Sequence, residues 1–321
     1  MRRRALSWVM QGVASLLLSV SAAGWAVASS DSAGAPRRIV SLSPHITELL
    51  FAVGAGDRLV GVDAWSDYPP AARDIQRVGD VFALDMERLL ALKPDLVVYW
   101  TSGTPQRQQQ QLHALGLHLL GTEQRRLADI ESALVEFGQL TGHAQQGRQA
   151  AAQFHAERLA LAARYANRPR LRVFYQVWDR PLYTLTGEHV VNEVLEMCGG
   201  SNIFAGLSGL APVVDTEAVL ARNPDVILVA ATGADGERQV RAWERYPTLA
   251  AVRAHRLYTL DPNLLDRMAP RILQGVATLC EVLDQARLRR AGAAGVTAVR
   301  GASLVRAPAG RTPARASAVA R

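Results

Sequence analysis

One stretch of this chain occurs twice. Asp85-Met86-Glu87-Arg88-Leu89-Leu90-Ala91-Leu92-Lys93-Pro94-Asp95-Leu96-Val97-Val98 returns 130 positions later (215 − 85) as Asp215-Thr216-Glu217-Ala218-Val219-Leu220-Ala221-Arg222-Asn223-Pro224-Asp225-Val226-Ile227-Leu228. Asp, Glu, Leu, Ala, Pro and Asp recur in register without a gap. Solenoid repeats run ~20–50 residues, so two copies this far apart imply two similar lobes.

Each copy has the same physics. Asp85 and Asp215 suit a helix N-cap, where a carboxylate accepts bonds from free backbone N–H groups. Glu87 and Glu217 fall in the first turn, where the helix dipole favours negative charge. Pro94 and Pro224 stop the helix. The apolar run that follows reads as a strand buried on both faces.

Around the repeat, strands alternate with helices. Strands are expected at 38–42, 59–62, 97–100, 117–120, 171–178, 182–185 and 256–260. Helices are expected from Ser43-Pro44, over 105–115, 127–140 and 190–197, and from 269 to 288. This alternation predicts α/β lobes with mainly parallel sheets. Residues 143–166 lack proline and are dense in Ala, Gln, Arg and Leu, with Gly147 the one breaker. As a helix they span ~36 Å, with Ala150, Phe154, Leu161 and Tyr165 on one stripe. We read this stretch as a connecting helix packed along both lobes. The expected organisation is an N-terminal lobe over 29–142, the connecting helix over 143–168 and a C-terminal lobe over 169–286.

The two ends differ from this body. Arg2, Arg3 and Arg4 precede an apolar run, and Ala26-Val27-Ala28 matches a small-x-small cleavage pattern. Residues 1–28 therefore read as a cleaved signal peptide that marks the chain for export; an uncleaved anchor is the competing reading. From Arg287 to 321 the chain is rich in Ala and Arg and has no acidic residue, the composition of a disordered tail. The whole chain is +7, from 36 basic and 29 acidic residues. The signal holds three arginines and the tail eight, so the body carries 36 − 3 − 8 = 25 basic residues and a net charge of 25 − 29 = −4. A nucleic-acid partner needs basic residues grouped on the folded body, and this balance does not support one. Cys198 and Cys280 would meet an oxidising compartment, so a disulfide is the expectation and two buried thiols the alternative.

Enzyme signatures are absent. There is no Gly-x-Ser-x-Gly elbow, P-loop or His-Glu-x-x-His pattern, and the histidines show no metal-ligand pairing. His45 lies at the end of the first strand, where open α/β sheets place ligands. Trp65, Trp100, Trp178 and Tyr183 lie at or after predicted strand ends, on edges that would line a cleft between lobes. Flat apolar faces of this kind suit a large planar or amphipathic ligand, although core packing also accounts for a lone tryptophan. Arg267, in a strand-to-helix loop, could bind a carboxylate, amide or phosphate.

The blocks Ile39-Val40-Ser41-Leu42-Ser43-Pro44, Thr47-Glu48, Trp65-Ser66-Asp67-Tyr68-Pro69-Pro70, Leu92-Lys93-Pro94-Asp95-Leu96-Val97, Cys198-Gly199-Gly200 and Pro270-Arg271-Ile272 resemble the helical-backbone class of periplasmic substrate-binding proteins. Within it they are most similar to members that bind cobalamin. The resemblance runs from about residue 37 to 286. It implies two α/β lobes joined by one rigid helix, a ligand cleft between them, and a monomer that binds without catalysis and needs no cofactor or metal of its own. It implies that Trp65, Trp100 and Arg267 line the ligand, that Cys198 pairs with Cys280, and that Glu87 and Glu217 meet arginines on the two permease subunits of an ATP-binding-cassette importer. Two further aromatics of the cobalamin pattern are replaced here by Val81 and Ala211, and a third by Val177. Phe82 and Trp178, each one position later, are the expected substitutes; an acidic position of the pattern falls near Asn263. Haem or an iron-siderophore is the alternative ligand, and an exported enzyme on the same scaffold the alternative class.

Overall fold

The structure is a computed structural model, and it describes residues 34–291. The expected signal segment and residues 292–321 of the expected tail lie outside them. The first half runs β1 (Ile39–Ser41), α1 (Pro44–Ala52), β2 (Leu59–Val62), α2 (Met86–Ala91), β3 (Leu96–Trp100), α3 (Gln106–Ala114), β4 (Leu119–Thr122) and α4 (Leu127–Leu140). The helix α5 (Ala144–Tyr165) follows. The second half runs β5 (Leu171–Asp179), β6 (Leu182–Thr184), α6 (Val190–Met197), β7 (Gly200–Asn202), α7 (Thr216–Arg222), β8 (Val226–Ala230), α8 (Gly233–Glu244), α9 (Ala250–Arg253), β9 (Leu257–Leu260), α10 (Pro262–Leu265) and α11 (Ile272–Ala291).

Two sheets form. The first is parallel throughout, in the order β2-β1-β3-β4. In the second, β5 pairs in parallel with β7 and with β8, and β8 with β9, while β6 returns antiparallel along the end of β5. Without that return strand the second order is β7-β5-β8-β9, the same winding as the first sheet. Each sheet therefore reverses direction beside its first strand, the crevice where open α/β sheets hold ligands.

The repeat seen in the sequence is the joint of each lobe. Asp85 caps α2 by accepting from Arg88 N at 2.9 Å, and Asp215 caps α7 by accepting from Ala218 N at 2.6 Å. Lys93 and Asn223, eight residues after each cap, share a left-handed φ of 46° and 41°. That turn redirects the chain from helix to strand just before each proline. Asp95 then accepts from the Arg37 and Arg38 amides, and Asp225 from the Arg172 amide. Each copy thus ties the start of its strand to the neighbouring strand.

The connecting helix is 22 residues long. Its buried positions are Gly147, Ala151, Phe154 and Tyr165, with Ala150 and Leu161 half-buried. Gly147 is a contact rather than a breaker. A Cβ there would meet Leu134 O at 2.5 Å and Gly138 Cα at 2.9 Å, so α4 and α5 touch backbone to backbone. One continuous apolar core runs from Ile39, Leu49 and Phe137 through Phe154 and Tyr165 to Leu171, Val276 and Leu283. It ties both sheets to α5, and smaller cores cover their other faces. Gly147→Ala tests this contact. Helix propensity alone favours Ala by ~1 kcal/mol, but the atoms it meets are backbone and cannot swing away. We expect a net loss of about 1–3 kcal/mol in urea unfolding; a gain would show that the helices part freely.

Two boundaries differ from expectation. The last helix starts at Ile272 rather than 269, because 267–271 form a loop held by ion pairs to Glu48. It also continues past 287, the expected start of the tail, to Ala291. Arg287 is held there by Asp284 and by the carbonyls of Pro169 and Cys198. Cys198, at the end of α6, is disulfide-bonded to Cys280 in α11.

Candidate functional site

Parallel strands deliver their C-terminal ends, and the loops after them, to one edge of each sheet. On the first sheet these loops carry Trp65, Tyr68 and Phe82, which are 66%, 40% and 90% exposed. Aromatics this open cost hydration free energy unless something covers them. Their backbones are fixed. Trp65 N donates to Asp63 Oδ1 at 2.8 Å, and Phe82 N donates to Asp80 Oδ1 at 2.8 Å. The Phe82 and Ala83 amides hold the Asp80 carboxyl below its usual range, and the Trp65 indole adds to this. Burial raises the Asp63 carboxyl to about 6, against the pull of the Trp65 amide. Trp100, the last residue of β3, is half-buried, and its indole donates to Glu123 Oε1 at 3.2 Å.

The second sheet presents a matching patch. Trp178 pairs with Tyr183 across β5 and β6, and directly paired residues share a face. Trp178 is 59% exposed; Val213, bridged to Tyr183, is also exposed. The departures from the family pattern have a simple geometry: Val81 and Val177 are half-buried, and the residue after each, Phe82 or Trp178, faces solvent. Ala211 and Asn263 are exposed.

Beside the first patch lies an ion-pair network joining the halves of the chain. Glu48, on the buried face of α1, accepts from Arg271 Nε at 2.8 Å and Nη2 at 2.6 Å, and from Arg267 Nη1 at 3.3 Å. Arg267 Nη1 also donates to Asp67 Oδ1 at 2.6 Å, and its Nη2 to the Trp65 carbonyl at 3.2 Å. Arg271 stacks over the Tyr68 ring, 3.7 Å from its centroid. Arg267 therefore reaches the site with its charge already answered. At the rim Arg125 pairs with Glu123 of the first half and Glu188 of the second.

His45 lies inside the wall rather than on it. It is 3% exposed, its Nδ1 is 2.8 Å from Ser43 Oγ, and it meets Trp100 edge-on. Ser43 thus spends its hydroxyl on His45 rather than on an α1 amide. Burial, reinforced by the Arg267 charge, lowers His45 to about 3, so the ring is neutral. His189, which caps α6 through Val191 N, is lowered by burial to about 4. A lowered histidine contributes stability that is present above its unfolded pKa near 6.5 and is lost as pH falls through the folded value. His189→Asn keeps a capping acceptor and removes the titration. Between about pH 6.5 and 4 its unfolding free energy should fall less steeply than wild type, by about 1.4 kcal/mol per pH unit. Urea unfolding across that range checks this, and parallel curves would contradict it.

Glu87 and Glu217 are exposed in the first turns of α2 and α7, and their side chains make no hydrogen bond or ion pair among the described residues. Those residues also hold no cluster of His, Cys, Asp or Glu suited to a metal, and no helix long and apolar enough to cross a membrane.

The structure thus brings Trp65, Phe82, Trp178 and Tyr183 to the strand-end edges, with Trp100 and Arg267 between polar partners and His45 behind them. Sequence reasoning assigned no role to Glu48, Tyr68, Arg271 or Glu123. Glu48 carried a signal: a carboxylate beside Ile46, Leu49 and Leu50 on an apolar helix needs a buried partner.

The periplasmic binding protein family matches residues 39–264. A vitamin B12-binding protein of Yersinia pestis is 38% identical over 249 residues, covering 78% of this chain and 87% of its own. One from Vibrio parahaemolyticus is 31% identical over 253 residues, covering 79% and 91%. Among solved structures, the periplasmic vitamin B12-binding protein BtuF of Vibrio cholerae aligns with a TM-score of 0.73 and 34% identity, over 78% of this chain and 98% of its own. The periplasmic heme-binding protein RhuT of Roseiflexus aligns at 0.68 and 30%, again over 78% and 98%. The doubled sheet, the helix between its halves and the family match lead to one conclusion: this chain belongs to the periplasmic binding protein family.

Proposed function

We propose that the protein captures cobalamin in the periplasm and delivers it to an ATP-binding-cassette importer. The observation that carries this reading is the pair of exposed aromatic patches, Trp65, Tyr68 and Phe82 on one sheet and Trp178 and Tyr183 on the other. Two such faces suit a ligand that is broad, largely apolar and too large for a closed cavity. The electrostatics favour a corrinoid over haem. Arg267 and Arg271 are answered by Glu48 and Asp67, which leaves them poor partners for haem propionates. The amide-fringed corrin ring needs no cation. Titration calorimetry with cyanocobalamin, haemin and a ferric siderophore separates these ligands; no corrinoid binding at ~10 μM would remove cobalamin.

In this reading residues 1–28 are a cleaved signal, 29–142 and 169–286 are the lobes, and 143–168 is the backbone between them. Trp65, Trp100, Phe82, Trp178, Tyr183 and Arg267 line the cleft, with His45 as its support. The protein acts as a monomer by binding and release, so ligand recovered from it is chemically unchanged. Glu87 and Glu217, one per lobe at the same helical step, meet arginines on the two permease subunits. The double reversal Glu87→Lys with Glu217→Lys should leave ligand affinity unchanged. It should lower importer-dependent uptake by about 10-fold or more, and normal uptake would reduce the pair to helix-start chemistry.

A further inference from the structure

The second sheet has a basic pole at the end of its strands remote from Trp178. Arg168 and Arg170 precede β5 and Arg172 is its second residue; Arg222 ends α7 and Arg253 ends α9; Arg287 and Arg289 lie late in α11. Contacts join them into one surface. Arg287 donates to the carbonyls of Pro169 and Cys198, Arg170 to Gly200, Arg172 to Asn223, Arg253 to Thr248 and Arg289 to His255. Carbonyl acceptors fix a guanidinium without cancelling its charge. The acids near this pole include Asp284, paired with Arg168 and Arg287, Asp225, which accepts from the Arg172 amide, Glu196, bonded to Asn192, and Glu193, which accepts from the Leu127 amide. Helix-end capping explains Arg222 or Arg253 singly. It does not explain why Leu288, among these arginines, is left 72% exposed. Nor does it explain why residues 292–321, which follow in sequence, carry Arg300, Arg306, Arg311, Arg315 and Arg321 and no acidic residue.

We propose that this pole docks on a bilayer containing anionic phospholipid. Guanidinium groups pair with lipid phosphates, and an exposed leucine among them suits the headgroup boundary. Among the described residues the large exposed aromatics sit at the opposite edge, and the half-buried Tyr258 ring at the pole lies under Arg289, so the pole offers no open ring on which a nucleic-acid base could stack. Docking in this orientation leaves the aromatic edge clear. It also leaves Glu217 clear, at the other end of α7 from Arg222. The protein is then held at an anionic membrane surface while still loading ligand.

Co-sedimentation of the processed chain with vesicles tests the proposal without any ligand. Binding is expected to vesicles containing about 30% phosphatidylglycerol and not to phosphatidylcholine alone, and to weaken about 10-fold or more between about 50 and 500 mM NaCl. The variant Arg170→Gln, Arg172→Gln, Arg253→Gln, Arg289→Gln should bind these vesicles about 10-fold or more weakly. The matching four Arg→Lys changes should retain binding, which separates charge from any loss of the carbonyl contacts. Equal binding to both vesicle types would overturn the proposal. So would full binding by the Gln variant, displacement by inorganic phosphate at about 20 mM, or equally tight binding to a DNA oligonucleotide. None of these outcomes bears on the cobalamin reading, which the calorimetric titration decides.

Discussion

Replacing both Cys198 and Cys280 by alanine should lower the unfolding free energy by about 4–5 kcal/mol, the loop-closure value for a bridge spanning 82 positions. The bond joins the end of α6 to the middle of α11, two helices that pack together in the second half of the chain. Both sulfurs are buried among Val194, Leu195, Val276 and Leu279, so alanine leaves no polar group stranded. The loss should therefore come mainly from the greater freedom of the unfolded chain. Urea unfolding of the oxidised protein and the double variant measures it. The aromatic patches do not depend on the bridge, so affinity for the ligand should be nearly unchanged. A loss below about 1 kcal/mol would mean that the unfolded chain is already compact between these positions.

Glu48→Gln should be almost as damaging, at about 3 kcal/mol or more. It leaves Arg267 and Arg271, which are 13% and 17% exposed, without their shared carboxylate. Removing one partner of a buried pair costs far more than the pair contributes against an apolar substitute. Asp67 is the internal control. Its side chain is 51% exposed, and Asp67→Asn should cost less than about 1 kcal/mol. The Gln variant also leaves positive charge unanswered beside the aromatic patches. Haemin should gain affinity relative to cyanocobalamin, by about 10-fold. If stability and selectivity both stay at their wild-type values, Glu48 holds neither the arginines nor the electrostatic balance of the site.

The doubled lobe was legible because its joint is local. Asp caps, first-turn Glu, a stop and a buried strand all fall within fourteen residues, and each carries its own signal. The connecting helix was legible from its length and its freedom from proline. What sequence pattern missed depends on contacts far apart in the chain. Glu48 and Arg271 are separated by 223 positions, and no period links them. Gly147 read as a weak point because propensity ranks glycine low, while its worth lies in what it lets approach. His45 sits at a strand end, as ligand-facing residues do, yet Ser43 and Trp100 enclose it. Phe82 and Trp178 were identified by their offset from the family pattern, and their exposure follows from half-buried Val81 and Val177 taking the inward positions.

The contact between Gly138 and Gly147 has a consequence for how such a protein can diversify. Where two backbones touch, there is no side chain to exchange, so the crossing can be inherited only whole. The outward positions of the same helix, among them Gln153, Glu157 and Ala160, are exposed and carry no such constraint. Lineages can then redraw the ligand edge and the helix exterior independently while the angle between the halves stays as it was. An attached dye or an affinity handle placed on that exterior should be accepted for the same reason.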